Sequence, residues 1–211
     1  MQNSIDHIAI GAENLTTAAD YFREQFGLDI PIGGKHAMMA THNRLMRLQQ
    51  GCYFELIAID PDATPPQRPR WFGLDEASIQ QKLSIQPHAL SWIVQTSNLD
   101  EVLAKSPVDL GEVLELSRDD LRWRLTVPKD GRPVMGGLIP AFIEWPEGMH
   151  PSHNLPDLGV RLEQITLSHP QPTELNALLD RLDIAHCAAV RQGETGLSFS
   201  FATPSGQITI S

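Results

Sequence analysis

The chain has 211 residues, with 16 Lys and Arg against 26 Asp and Glu and a formal charge of −10, and no basic cluster stands ready to track a phosphate backbone or an anionic bilayer. Nucleic acid and membrane surfaces are thereby set aside as partners: no run approaches the roughly 18 apolar residues of a spanning helix, and the first residues lack the basic start and apolar stretch of a signal peptide. Cys52 and Cys187 are the only cysteines, too few for a disulfide framework, so a soluble, cytoplasmic chain is expected.

In chain order, IDHIAIGAENL reads as a strand and TTAADYFREQF as a helix. Asn14 or Thr16 offers an N-cap, Ala18, Phe22 and Phe26 recur at helical spacing, and Gly27 follows the end. After an irregular stretch, NRLMRLQQGCYFELIAI gives two strands meeting at a tight turn, Gln50-Gly51. This first unit spans 1–60 and is followed by a connector, 61–85, that opens on the proline-rich DPDATPPQRPR. The second unit, 86–147, repeats the order: the strand ALSWIVQ, a short helix capped by Asn98 or Asp100, GEVLELSR and RWRLTV around a polar turn at Asp119 and Asp120, then LIPAFIEWP. A loop rich in proline and histidine, 148–160, leads to a smaller third unit, 161–211: RLEQITLSHP, the helix PTELNALLDRL, then AHCAAVRQ, GLSFSFATP and GQITIS as strands. Three copies of strand, helix and three strands define an α+β chain in which each sheet has one face covered by its helix and another that must find a partner.

DHIAI…NL at the head of the first copy and YFELIAI at its tail resemble the vicinal oxygen chelate superfamily of paired βαβββ modules. More narrowly, GGKHAMMATHNRLMRL, GCYFELIAIDP and LIPAFIEWPEGMHPS resemble its glyoxalase-like domain subfamily. The resemblance covers most of the chain. It implies a cupped, barrel-like mixed sheet with helices outside, enclosing a cavity for a small-molecule substrate. It also implies metal ligands on the first and last strand of each module. It does not choose a reaction, because superfamily members include lyases, isomerases, dioxygenases and binding proteins.

Against that pattern, module one supplies His7 on its first strand and Glu55 on its last. Period-two alternation places His7 with Ile5 and Ala9, and Glu55 with Tyr53, Ile57 and Ile59. A carboxylate in such an apolar row is costly unless paired, protonated or metal-bound. In module two, Ser91 stands at the place of His7, His88 is out of register, and Glu144 takes the last-strand position. Module three offers Gln164, but Ile210 where a glutamate would be. The expected metal set is therefore His7, Glu55 and Glu144 if modules one and two face each other, with Ser91 or water in the fourth place. It becomes His7, Glu55 and Gln164 if modules one and three do. One imidazole and two carboxylates would suit Mn²⁺, Fe²⁺, Ni²⁺ or Zn²⁺. The competing expectation is a metal-free polar contact between His7 and Glu55.

Glu144 is also expected as a general base. His36, after the flexible Gly33-Gly34, is expected as a substrate contact or acid–base group, with Thr41, Asn43, Ser91 and Tyr53 as substrate contacts. His42, His150 and His153 read as solvent-facing, the last two near a cavity mouth. Trp71, Trp92 and Trp145 read as core or cavity wall. Arg122 and Arg124 share one strand face and read first as a solvated or homodimer-interface pair, and second as a cradle for a carboxylate or phosphate. His186 and Cys187 read as opposite-facing neighbours on a strand. The expected function is a glyoxalase-like small-molecule enzyme that uses a divalent metal if the set assembles; the alternative is a metal-free binding protein of the same fold.

Overall fold

A computed structural model describes residues 3–118 and 120–211. Asp119, expected in the turn of the second unit, lies outside the described residues. The first unit forms β1 (Ser4–Gly11), α1 (Leu15–Phe26), β2 (Ile32–His36), β3 (Thr41–Gln49) and β4 (Cys52–Ile59). The connector holds α2 (Ala77–Leu83), and the second unit forms β5 (His88–Gln95), α3 (Leu99–Lys105), β6 (Glu112–Arg118), β7 (Leu121–Val127) and β8 (Ala141–Glu144). The third forms β9 (Arg161–His169), α4 (Pro172–Arg181), β10 (Ala189–Gln192), β11 (Gly196–Thr203) and β12 (Gly206–Ile210).

Local chemistry explains the element ends. Asn14 caps α1, its side-chain oxygen accepting from the Thr17 N–H at 2.9 Å, and Gly27 closes the helix at φ 71°. Asn98 caps α3 in the same way, accepting from the Glu101 N–H at 3.1 Å. Two elements differ from expectation. The stretch around Gly33-Gly34 is the edge strand β2, and the connector contains the helical turn pair of α2, which its short, half-exposed sequence does not announce.

The strands of the first two units form one mixed, eight-stranded sheet in the order β2-β3-β4-β1-β5-β8-β7-β6. β1 runs parallel to β4 and antiparallel to β5, so the two units join along their first strands, and β5 runs parallel to β8. The sheet curls until β2 and β6, its two ends, lie against each other near Gly34 and Arg118. The third unit is not part of that sheet: its strands make a separate four-stranded sheet, β10-β9-β11-β12.

Alternation sorts the curled sheet into two cores. Ile8, Ile10, Phe54, Leu56, Trp92 and Phe142 point outward, where they pack with Phe22 and Phe26 of α1 and with Ile165, Leu167, Phe199 and Phe201 of the third sheet. Ala9, Ile57, Ile93, Leu125 and Ile143 point into the hollow, which is stoppered by Trp71, Phe72 and Leu74 of the connector. Phe72 sits there at φ 58°, a left-handed conformation that strains a residue with a Cβ. Among the described residues no helix is long and apolar enough to cross a membrane.

Candidate active site

The hollow's polar end is built on β1. A bulge shifts the β1–β5 register between Ile5 and His7, leaving Asp6 as the extra residue, so strict alternation fails there. Asp6 and His7 are both buried, at 0% and 6% exposure, and the Asp6 carboxylate bonds inward. Its Oδ1 accepts from His7 Nδ1 at 2.7 Å, while Oδ2 accepts from Trp145 Nε1 at 2.8 Å and His150 Nε2 at 3.0 Å. Burial would raise the Asp6 carboxyl, but hydrogen bonds from His150 and His7 outweigh it and hold the group below the ordinary carboxylate value. Asp6 is thus ionised and accepts the Nδ1 proton of His7, which leaves Nε2 as the ring nitrogen that faces Glu55.

That nitrogen lies 3.6 Å from Glu55 Oε2, beyond hydrogen-bond reach. Tyr53 stacks on the His7 ring at 4.4 Å, and burial, reinforced by Asp6 and Glu55, raises its hydroxyl well above the ordinary value. Glu55 is 5% exposed, and its other oxygen, Oε1, accepts from Asn43 Nδ2 at 2.6 Å. The amide's orientation is fixed because Asn43 Oδ1 accepts from the Gly34 N–H at 2.8 Å. The same Nδ2 lies 3.4 Å from His36 Nε2, so that nitrogen accepts and Nδ1 donates to Thr41 Oγ1 at 3.0 Å. Burial, only partly offset by Glu55, pushes His36 down to about 4, and the ring is neutral at ordinary pH.

A cavity of about 30 Å³ lies among His7, His36, Asn43, Tyr53, Glu55, Arg118 and Trp145 under the lid of Trp71 and Phe72. It has room for a water or two. The structure therefore brings together six of the residues singled out in the sequence: His7, Glu55, His36, Thr41, Asn43 and Tyr53.

Glu144 is not among them. Ile143 and Trp145 take the inward side, and Glu144 falls on the Phe142 side, where its carboxylate accepts from Arg124 at 2.8 Å beside Asp100 of α3. β8 is only four residues long, and opposite Ala9 and Glu55 in the first unit it sets Ala141 against Ile93. An apolar side chain thus occupies the inward place where Glu144 was expected. Ser91 is buried, but it opens on a neighbouring space of about 20 Å³ with Thr126, and its hydroxyl donates to the Trp92 carbonyl. Gln164 is exposed on the separate third sheet, which removes the alternative ligand set.

The metal expectation fails on donors. Among the described residues no group of three or more His, Cys, Asp or Glu side chains is placed to hold a metal ion. Where Glu55 Oε1 and His36 Nε2 approach at 3.9 Å, the Asn43 N–H₂ already lies between them, and it presents hydrogens rather than a lone pair.

Other expectations are also corrected. His150, read as solvent-facing, is drawn inward by Asp6, whereas His153 is exposed. His42 is half-buried. His186 and Cys187 lie in a single helical turn, Ala185–Cys187, rather than on a strand, and burial pushes the Cys187 thiol up to about 11. Sequence reasoning missed Asp6 and Arg118 altogether. A polar residue interrupting the apolar row beside His7 was the available signal for Asp6.

A curled eight-stranded sheet of two βαβββ units, with His7, His36, Asn43 and Glu55 lining its hollow, is a fold of the glyoxalase kind. The glyoxalase-like domain family matches residues 5–182, and the chain belongs to it. A hypothetical protein from Staphylococcus aureus shares the fold, at 16% identity and a TM-score of 0.60, over 100% of this chain and 86% of that one. The methylmalonyl-CoA epimerase from Mycobacterium tuberculosis is a more distant structural likeness, at 18% identity and a TM-score of 0.43, over 68% of this chain and 88% of that one. No curated protein matches the chain.

Proposed function

We propose that the protein is a small-molecule enzyme of the lyase or isomerase kind, in which Glu55 and His7 exchange a proton with a carbon or oxygen of an oxygenated substrate. The observation that carries this reading is the buried line Asp6–His7···Glu55. His7 Nε2 and Glu55 Oε2 face each other across 3.6 Å at the edge of a cavity. With no hydrogen bond closing that gap, a substrate atom can meet both groups, which is what a general acid–base pair needs. Asp6 orients the ring of His7, and Asn43, backed by His36 and Thr41, aims Glu55. His36 then serves as a positioning residue, since both of its nitrogens have protein partners.

The test is hydrogen exchange. Small aldehydes, ketones and 2-oxo acids are incubated with the full chain in D₂O, and loss of the proton beside the carbonyl is followed by NMR. Exchange above the buffer rate is expected with the wild type, falling about 10²–10⁴-fold in Glu55→Gln. A second reading, a binding protein of the same fold, is favoured by Trp71 and Phe72 filling most of the hollow. Saturable ligand binding without exchange would favour it and overturn the first.

A further inference from the structure

Two donor side chains line the cavity without an ion-pair or hydrogen-bond partner among the described residues. Arg118, at the end of β6, lines it where β6 meets β2, and among the described residues no carboxylate pairs with this guanidinium. The arginine passes so close to β2 that a Cβ on Gly34 would lie 2.6 Å from Arg118 Cδ, so the glycine is what admits it. The second donor is Trp71, which is 4% exposed and whose indole N–H is buried without a hydrogen-bond partner among the described residues. Trp71 packs edge-on against His36 and lines the same cavity. The other cavity tryptophan with a buried N–H, Trp145, spends it on Asp6. A buried indole N–H of this kind finds an acceptor in native proteins, and a half-buried guanidinium lining the same cavity can meet the oxygens of the same anion.

We propose that Arg118 and Trp71 form the subsite for a carboxylate of the substrate, so that the enzyme acts on a small organic anion. The inference rests on the acid–base reading given above and names its substrate class. The anion sits at the seam between β2 and β6, with the remainder of the molecule directed to His7 and Glu55. The cavity of about 30 Å³ holds a water or two as it stands, so the anion displaces that water and Trp71 and Phe72 of the connector shift to admit the remainder of the molecule.

The test is binding to the full chain, measured by calorimetry with pyruvate, its neutral isostere pyruvamide, and inorganic phosphate. Wild type is expected to bind pyruvate about tenfold or more tightly than pyruvamide, the size of effect a charge-assisted pair gives. Arg118→Gln should bring that ratio close to one, Arg118→Lys should keep part of it, and Trp71→Phe, which keeps a ring but loses the N–H, should lower it about threefold. Arg122→Gln, on the other face of the sheet, should leave it unchanged. A residue that only staples the seam would move the melting temperature and not the ratio. Equal binding of pyruvate and pyruvamide, preference for phosphate, no saturable binding of pyruvate, or an unchanged ratio in Arg118→Gln would each overturn the proposal. Exchange confined to neutral carbonyl compounds would also sink it while leaving the acid–base reading in place.

Discussion

Asp6 Oδ1 accepts a hydrogen bond from His7 Nδ1 at 2.7 Å although the two residues are consecutive in a strand, where neighbours ordinarily point to opposite faces. The bulge makes the contact, and the contact makes Asp6 the hub of the cluster. Asp6→Asn would set an amide N–H₂ or a lone carbonyl against the donors of His7, Trp145 and His150. A stability loss of about 2–4 kcal/mol is expected at pH 7, because buried donors lose a charged partner. Urea unfolding measures it, and a change below about 0.5 kcal/mol would contradict the hub role.

Stability should fall as acid is added, in two separate windows. The folded chain leaves His36 unprotonated down to about pH 4, whereas an exposed histidine takes up its proton near 6.5. The unfolded state therefore binds the extra proton between those values, and stability drops as pH falls through them and returns as pH rises. The full effect is on the order of 3 kcal/mol. Asp6 has a depressed folded value, so its contribution is present above its ordinary 3.8 and is lost only below that. Unfolding curves at pH 7, 6 and 5 should show the first slope in wild type and a flatter one in His36→Leu.

Divalent ions should leave the melting temperature of wild type unchanged, since the Asn43 amide presents hydrogens where a cation would need a lone pair. Asn43→Asp reverses that polarity. Two carboxylates and the His36 imidazole would then converge, and Mn²⁺ or Zn²⁺ should raise the melting temperature saturably, with a gain of about 2.7 kcal/mol at a hundredfold excess over Kd. Thermal unfolding with and without chelator reads both results. A saturable rise in wild type would restore the metal expectation.

Gly33→Ala should unsettle the cluster from outside. A Cβ there would overlap Asn43 Oδ1 and lie 2.9 Å from Leu45 Cγ, so the amide that aims Glu55 must shift. A cost of about 1–3 kcal/mol is expected by denaturant titration. Because the clash is with Asn43 itself, Asn43→Ala should relieve part of it, giving a double mutant less destabilised than the sum of the singles.

Much of this was legible in the residues. Asn14, Phe22, Phe26 and Gly27 announce α1, and alternation places Glu55 inward on β4; in β1 it gives His7 the inward face but wrongly groups Ile5 with it, because the bulge at Asp6 turns Ile5 to the outer core. Gly33-Gly34 with His36, Thr41 and Asn43 was legible as a site motif, though not the direction of its hydrogen bonds.

The failures have physical reasons. Glu144 was misplaced because a four-residue strand holds too few alternations to fix its register, and Arg124 was available on the outer face to satisfy the carboxylate. Asp6 was passed over because alternation assigns it to the helix side, and only pairing with a second strand reveals a bulge. Nothing local to Trp71 and Phe72 states that a proline-rich connector will fold back into the sheet. His150 is drawn inward by a residue 144 positions away, which no spacing rule detects.

Phe54 and Glu55 are consecutive in β4, one facing out and the other in. Behind the strand, Phe54 lies 5.9 Å from Phe201 of the third sheet, and Phe26 lies 5.7 Å from the same ring. The third unit, residues 161–211, lends no side chain to the lining of the cavity and braces the wall behind it. Substitutions at Phe201 would loosen the aim of a carboxylate they never touch, and the third unit serves as a mount for the instrument the other two compose.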